Sequence, residues 1–413
     1  MNFRSALSVV LVASVSLSAF AQNVEDEEKL ERELGLPSDH WYVPKTTLRF
    51  GFRVLTSGVN VNFGNLGTVT STRAIVPASA GDINRIYDNG AVALDLPGFN
   101  EVDANGVQTS IPGGRYQVLV PQTDGSVGLA LDGVSFTPGQ TRFWNYVSDD
   151  QVIGGLLGLS NFSAASEGAT ASKDEGMSSG VELSVSRDLG KVGSRFQISV
   201  DAGIALNSMN AKTGGTVRST LTSYTDYFRL NGPTPTEKGG PTYGELVLPD
   251  GTIVAQGYET TTPLQTTPDA SLSATTSVVG GASVQGNWQI KGAYFLMRLG
   301  PSVHTQLSER FGMSFGAGVA GAYAGSRYSV VEQLELPDLA EPLIEDRFSN
   351  ESKFLTGYYA DLNFGWQANE RTGLFAGVGL QHLGSYDQSV GGRTAKIEMG
   401  SAVGVRGGIS IKF

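Results

Sequence analysis

Residues 311–323 read FGMSFGAGVAGAY, and this segment decides the fold class of the chain. Its odd-numbered positions carry bulky apolar residues, whereas its even-numbered positions carry glycine, alanine and serine. A period of two is the pattern of a β-strand, because successive side chains of a strand point to opposite faces. The segment therefore predicts a strand with one bulky apolar face and one nearly bare face.

Residues 316–321, GAGVAG, also match the glycine pattern of a dinucleotide-binding loop. Such a loop needs a preceding strand, a helix after the glycines and an acidic residue about 20 positions further on. The residues that follow, AYAGSRY, are poor helix formers, and the first acids come too early, at Glu332 and Glu335. We therefore expect no dinucleotide site here.

The bare face distinguishes two kinds of β-sheet. Strands of soluble sheets contain little glycine, whereas a transmembrane β-barrel strand has one face toward lipid and the other toward a narrow lumen. Phe311 and Tyr323 are separated by about 40 Å of strand at ~3.3 Å per residue, or about 28 Å along the membrane normal at a tilt of about 45°. These aromatic residues therefore bracket an apolar band of transmembrane height.

The N-terminal residues predict export. Residues 1–21 combine Arg4, an apolar stretch and the cleavage pattern Ala19-Phe20-Ala21, as a secretory signal peptide does. Residues 22–46 contain the acidic run VEDEEKLERELGLP, which we expect to be a solvated periplasmic segment with a short helix. Docking to a partner or plugging of the lumen is the alternative role for this segment. No later segment approaches 18 consecutive apolar residues, so we expect no transmembrane helix.

The composition excludes several classes of protein. The 413 residues contain no cysteine, so an exported chain of this length has no disulfide framework. A net charge of -11 makes it a poor candidate for binding nucleic acid. We see no cluster of histidine and acidic residues at metal-ligand spacing, and we expect neither a metal nor another cofactor.

The C-terminal residues repeat the alternation of residues 311–323. Apolar residues occupy most odd positions from Ala395 to Phe413. This ending resembles the closing strand of bacterial outer-membrane β-barrel proteins, and segments such as RIYDNGAVALD resemble uncharacterised members. The resemblance implies that Phe413, Ile411 and Ile409 form a signal read by the outer-membrane assembly machinery. It also implies location in the bilayer of the outer membrane.

Six further segments are predicted strands, five with the same alternation and residues 288–299 with a less clear one, so the sequence predicts eight strands in all. They begin near residues 48, 181, 196, 288, 354 and 374. The expected fold is an all-β, antiparallel, up-and-down transmembrane barrel over residues 47–413.

Short connections predict periplasmic turns, and long ones predict extracellular insertions at 57–178 and 207–284, with further loops at 329–353 and 387–393. Turn residues at 88–90, 124–125 and 249–251 predict three hairpins. These hairpins either form an outer cap or extend the barrel to ten or twelve strands.

Inward positions of the predicted strands carry charges of both signs. They are Arg49, Arg53, Glu182, Arg195, Asp201, Arg298, Asp361, Glu398 and Arg406. Because an unpaired charge in a narrow interior is costly, we expect these groups to pair.

The histidines do not predict an enzyme. A barrel phospholipase requires a serine two residues from its histidine on the same strand face. His382 has no such serine, and we expect it at the membrane interface. His40 and His304 fall at the end of the barrel opposite Asp149 and Asp150, where a barrel protease needs acid and histidine together. We expect a structural or surface-interaction protein that presents its loops to an extracellular partner. The alternative is a narrow channel for small solutes.

Overall fold

The structure, a computed structural model, describes residues 46–56, 58–71, 85–92, 99–102, 108–111, 117–121, 127–131, 139–192, 195–235, 238, 245–247, 253–255, 259–337, 339 and 341–413. The predicted signal peptide and residues 22–45 of the predicted acidic segment lie outside this set. Within the described residues, no helix has the length and apolar character needed to cross a membrane.

Eight antiparallel strands form a closed ring. They are β1 (Thr46–Thr56), β2 (Met177–Val192), β3 (Phe196–Arg229), β4 (Ala274–Gln306), β5 (Phe311–Leu334), β6 (Leu343–Gln367), β7 (Thr372–Leu383) and β8 (Ser401–Lys412). Consecutive strands pair with each other, and β8 pairs with β1 to close the ring. The predicted all-β antiparallel ring is therefore confirmed.

The two ends of the ring differ in their connections. Short connections follow Val192, Gln306 and Gln367 at one end, called here the lower end, close to the predicted positions. The backbones of Thr46 and Phe413 exchange two hydrogen bonds there, of 3.2 and 2.9 Å. The long connections therefore lie at the upper end.

Four ring strands are much longer than the sequence pattern predicts. β3 and β4 pair as far as Thr225 and Ala274, and β5 and β6 pair as far as Leu334 and Leu343. The predictions of an insertion over 207–284 and a loop over 329–353 are therefore wrong in extent. The row of outward apolar side chains stops near residues 206, 323 and 354, although strand pairing continues.

The other four ring strands, β1, β2, β7 and β8, break at one height. Their chains continue upward as a four-stranded sheet, here called the upper sheet, made of Asn60–Leu66, Ala169–Asp174, Ser385–Val390 and Arg393–Glu398. The strands of the upper sheet pair in the same order as the ring strands that they continue. At the break before β2, Gly176 has a φ of +82°, a conformation that glycine adopts at no steric cost.

Further strands lie above the ring or extend its upper edge. They are Val69–Thr70, Arg85–Tyr87, Gly90–Val92, Phe99–Val102, Gln108–Ile111, Gln117–Pro121, Val127–Leu131, Gln140–Tyr146, Val152–Ile153, Leu156–Ala165, Glu245–Val247, Ile253–Ala255 and Glu259–Gln265, with a 3-10 helix at Asp149–Gln151. Each of the three predicted hairpins is present as a strand pair. In the described residues these pairs belong to sheets separate from the ring, so they extend a cap and not the barrel.

Polarity inverts along β5. Below its midpoint, the side chains of Phe311, Phe315, Val319 and Tyr323 point outward with 53, 53, 65 and 38% exposure. Above Tyr323 the outward residues are mostly polar, while the inward ones are buried and mostly apolar: Ala324, Tyr328, Val330 and Leu334.

The inversion follows one row of outward side chains around the long strands. Leu206, Phe295, Tyr323 and Phe354 are successive cross-strand neighbours. We call the ring up to and including this row the belt. The part of β3–β6 above it, together with the upper sheet, is called the upper barrel, and it encloses an apolar core that includes Phe63, Trp288, Tyr328 and Ile397.

Candidate functional site

The interior of the belt holds a layer of four charged side chains. Glu182, Arg298, Asp361 and Arg406 come from β2, β4, β6 and β8, so alternate strands of the ring each contribute one. Each arginine contacts both carboxylates, at nitrogen–oxygen distances of 3.3 and 3.3 Å for Arg298 and 3.5 and 2.9 Å for Arg406. This arrangement, here called the ion layer, is neutral and almost fully buried. Buried charges are tolerated when they are paired in this way.

Polar groups surround the ion layer above and below. Above it, Arg53 donates to the Gln381 side-chain oxygen at 2.6 Å, and the Gln381 amide donates to the Tyr294 hydroxyl at 3.1 Å. Below it, Arg49 lies 3.9 Å from the Asp201 carboxylate. At the level of the layer, Arg406 donates to the Asn363 oxygen at 2.7 Å. The lumen charges are thus mostly engaged with one another.

Free space in the belt is concentrated at the lower end. A polar cavity of about 250 Å³ opens there, lined by residues that include Arg49, Asp188, His304, Asn363 and Lys412. Beside Arg53, Arg298 and Arg406 a second cavity measures only about 20 Å³, which is room for about one water molecule. The space beside these arginines is therefore much smaller than the lower cavity.

Two of the predicted lumen charges lie elsewhere. Arg195 lines the mouth of the lower cavity and is exposed. Glu398 belongs to the upper sheet, where it forms an exposed ion pair with Lys396 at 2.6 Å. The prediction for Glu398 is wrong because the chain breaks between Glu398 and Ser401. The alternation that begins at Ala395 therefore belongs to two strands.

The predicted assembly signal lies on the outer surface of the belt. Ile409 and Phe413 are half exposed, and Ile411 is partly buried. β8 pairs along its length with β1 and β7, so these residues form part of the strand that closes the ring. Their role in assembly stays a prediction.

A second buried ion pair, absent from the sequence predictions, lies inside the upper barrel. The fully buried Glu332 carboxylate accepts hydrogen bonds from the Arg393 Nη2 at 2.8 Å, the Trp288 indole at 2.9 Å and the Gly67 amide at 2.7 Å. Arg393 also contacts Glu345 at 2.9 Å. This ion pair, between β5 and the upper sheet, connects the two halves of the upper barrel.

A sequence signal for this ion pair exists in the parity of β5. Even positions of β5 remain inward to its end, so Glu332 is a single acid in an inward row that contains Tyr328, Val330 and Leu334. Burial, with a smaller contribution from the Glu332 carboxylate, raises the pKa of Tyr328 above its ordinary value. The upper barrel therefore holds its ionisable groups in an apolar interior.

The described histidines and the acid pair of the cap belong to different elements of the structure. His304 contacts the Ser302 hydroxyl at 3.1 Å inside the belt, and His382 stacks on Tyr358 outside it, with ring centroids 5.0 Å apart. Asp149 and Asp150 lie in the 3-10 helix of the cap, and His40 is outside the described residues. Over the described part of the chain, no three histidine or acidic residues form a group that could hold a metal ion.

Comparisons with known proteins yield structural similarities only. No protein-family model and no curated protein matches the sequence. The chain is similar to the outer-membrane protease OmpT from Escherichia coli, with 8% identity over 91% of this chain and 99% of that chain and a TM-score of 0.26.

It is also similar to a FadL homologue of Pseudomonas aeruginosa, with 8% identity over 90% of this chain and 91% of that chain and a TM-score of 0.17. Because both TM-scores are below 0.5, these similarities carry no argument about function.

Proposed function

We propose that this chain is an integral outer-membrane β-barrel protein with a closed lumen and a structural or surface-interaction role. The observation that carries the proposal is the belt, where large apolar side chains point outward around the whole ring. Examples on four different strands are Phe52, Val319, Tyr358 and Val405, with exposures between 59 and 66%. A continuous apolar surface of this kind marks a membrane or protein contact, and a closed ring satisfies its backbone groups within lipid.

The connections support an orientation in that membrane. Outer-membrane barrels have short periplasmic turns and longer extracellular loops. The lower end would therefore face the periplasm, and the upper barrel and cap would stand outside the cell. The predicted signal peptide agrees with this route.

The filled interior supports a role other than transport. The ion layer, the narrow space beside it and the apolar core of the upper barrel all lie in the path from one end to the other. Eight-stranded barrels have interiors that side chains can fill, whereas open pores belong to barrels of about 16 strands. The surface of the upper barrel and cap is then the part available to a partner, and catalysis is not part of the proposal.

A narrow channel is the second candidate function, favoured by the polar lower cavity. Recording current across a planar bilayer that contains the purified protein distinguishes the two. We expect no steady unit conductance from the wild-type protein, with insertion verified by protease protection of the belt. Reproducible unit currents from the inserted wild-type protein would contradict the closed lumen and support the channel.

A further inference from the structure

Three basic side chains lie together on the outer surface of the upper barrel. They are Lys212 on β3, Lys291 on β4 and Arg327 on β5, and all three are exposed. Lys291 and Arg327 are direct cross-strand partners. Lys212 pairs with Gln289, which places it diagonally next to Lys291. The three residues thus form one basic cluster across three strands.

The cluster has no acidic partner among the described residues. The adjacent outward strand positions hold Asn210, Gln289, Ser329 and Asn350, which are uncharged. The Glu175 carboxylate accepts a hydrogen bond from the Asn210 backbone at 2.7 Å and forms no ion pair with the cluster. Like charges directly opposite each other on neighbouring strands are destabilising. The side-chain amide of Gln289 donates to Asn210 at 2.8 Å between the two lysines, so these polar groups are occupied with each other. An external anion would relieve the repulsion.

The cluster lies at a definite height above the belt. Lys291 is four residues above Phe295, which belongs to the uppermost apolar row. Four residues are about 13 Å along a strand and about 9 Å along the membrane normal at a tilt of about 45°. Charged lipid head groups lie just outside the hydrocarbon core, and lysine and arginine side chains reach toward that boundary.

The surface between the cluster and the belt is shallow. Ala293 and Gly325 are cross-strand partners in this gap, and a Cβ atom added at Gly325 would have no neighbour within 4 Å. The Arg327 guanidinium lies 3.9 Å from the centre of the Phe348 ring, which holds it on the outer surface. Phe348 pairs with Ser329, so this contact is on the side of Arg327 away from the belt. Between the basic cluster and Tyr323 the outward positions thus hold only the small residues Ala293 and Gly325, so a lipid at the belt can reach the cluster.

We propose that Lys212, Lys291 and Arg327 bind the phosphate group of a phosphorylated glycolipid in the outer leaflet. The acyl chains of this lipid would run down the belt along Phe295 and Tyr323. Arginine forms two parallel hydrogen bonds to a phosphate, and the lysines add point charges. The inference rests on the proposed membrane location of the belt.

Binding of purified lipid A to the detergent-solubilised full chain, followed by native mass spectrometry, tests the site. The variant carries Lys212→Gln, Lys291→Gln and Arg327→Gln together. Its matched control is Arg218→Gln, on the same outward face of β3 but further from the belt. Because each basic residue near a lipid surface adds to the attraction of an anionic lipid, we expect the triple variant to bind bisphosphorylated lipid A at least about tenfold more weakly. The control should bind as the wild-type protein does.

Two further binding measurements identify the ligand. Fully dephosphorylated lipid A should bind the wild-type protein and the triple variant equally weakly. Excess inorganic phosphate should not displace bisphosphorylated lipid A; complete displacement would overturn the lipid assignment in favour of a free anion.

The inference and the proposed function fail separately. Equal binding by the triple variant and the wild-type protein, when both fractionate with the outer membrane as heat-modifiable barrels, would overturn the lipid site alone. Absence of the wild-type protein from the outer-membrane fraction would overturn the proposed function.

Discussion

The belt and the upper barrel share four continuous strands but place their apolar side chains on opposite faces. In the belt, apolar residues such as Val319 point outward and charged residues such as Asp361 point inward. In the upper barrel, Tyr328 and Val330 point inward on the same strand that carries Val319, while Arg327 points outward. One strand therefore carries its apolar side chains on opposite faces in its two halves.

The comparison shows that backbone pairing between strands is independent of which strand face is apolar. Backbone pairing between β4 and β5 extends with one irregularity from Val284–Leu334 to Gln306–Gly312, across the change of polarity. The irregularity falls near Pro301, which lacks an N–H to donate. Strand pairing therefore does not decide which face is apolar.

The largest effect is expected from the buried ion pair of the upper barrel. Replacing Glu332→Ala leaves Arg393 in an apolar interior with Glu345 as its remaining carboxylate partner. Breaking a buried pair costs about 3–5 kcal/mol, and we expect about 3 kcal/mol here because Glu345 remains. The free energy of unfolding in urea, followed by tryptophan fluorescence, measures this loss, since Trp288 contacts Glu332.

A surface ion pair supplies the control for this variant. Glu398→Ala removes the exposed partner of Lys396, and its unfolding midpoint should equal that of the wild-type protein. An unchanged urea unfolding midpoint in the Glu332→Ala protein would contradict an upper-barrel interior from which water is excluded.

The second prediction compares two outward valines of β5. Val319→Arg places a charge on the lipid-facing surface and should cost about 2–4 kcal/mol of folding free energy in vesicles. Val331→Arg, on the same face above the belt and opposite Asp346, should change stability by less than about 0.5 kcal/mol. Equal costs for the two substitutions, from urea titrations in lipid vesicles, would remove the distinction between the regions.

The third prediction concerns the crowded interior of the belt. A Cβ atom at Gly316 would lie 3.2 Å from the Asp361 carboxylate and 3.6 Å from that of Asp201. Gly316→Leu should therefore displace groups of the lumen and cost about 1–3 kcal/mol. The neighbouring Ala317→Leu faces outward and should be tolerated. The yield of heat-modifiable folded protein compares them, and similar yields would count against a filled lumen.

The smallest effect is expected from alkaline pH on the upper barrel and cap. Burial, followed by the hydrogen bond to Asp226, raises the pKa of Tyr87, and burial also raises the pKa of Tyr328 and Tyr386. Unfolded tyrosine loses its proton near pH 10, whereas these folded groups keep theirs. The contribution of these tyrosines to the stability of the folded state is therefore complete below about pH 10 and is lost as the pH rises above it.

Limited proteolysis at rising pH measures this loss. Cleavage of the cap and upper barrel should begin above pH 10 while the belt still migrates as a folded barrel. Tyr328→Phe should reduce the pH dependence, and an identical pH profile in that variant would contradict the assignment.

The belt was predictable from the sequence because one period of two describes it. Residues 311–323 show large outward and small inward side chains, and the structure has the same assignment. The upper barrel was not predictable from the sequence. Its strands keep the period of two, but their apolar residues lie on the inward face and not on the outward one. The parity of residues 288–299 is unclear since the exchange occurs within this segment, between Tyr294 and Arg298.

The C-terminal residues show the same limit. Apolar residues occupy most odd positions from Ala395 to Phe413, yet Ala395 and Ile397 are buried and Val403 and Val405 face outward. The break between the two strands and the change of apolar face are therefore not visible in the sequence pattern. The ion layer was predictable as a set of inward charges, but its pairing across alternate strands depends on the closed ring.

Single cysteines labelled with an environment-sensitive fluorophore test the inversion most directly, since the chain has no cysteine of its own. Labels at Val319→Cys and Val331→Cys share one strand face but fall in the two regions. In vesicles, we expect the label at 319 to be quenched by spin-labelled acyl chains and shielded from aqueous iodide. The label at 331 should show the reverse. Quenching of both labels by the same reagent would contradict a strand that passes from lipid into water.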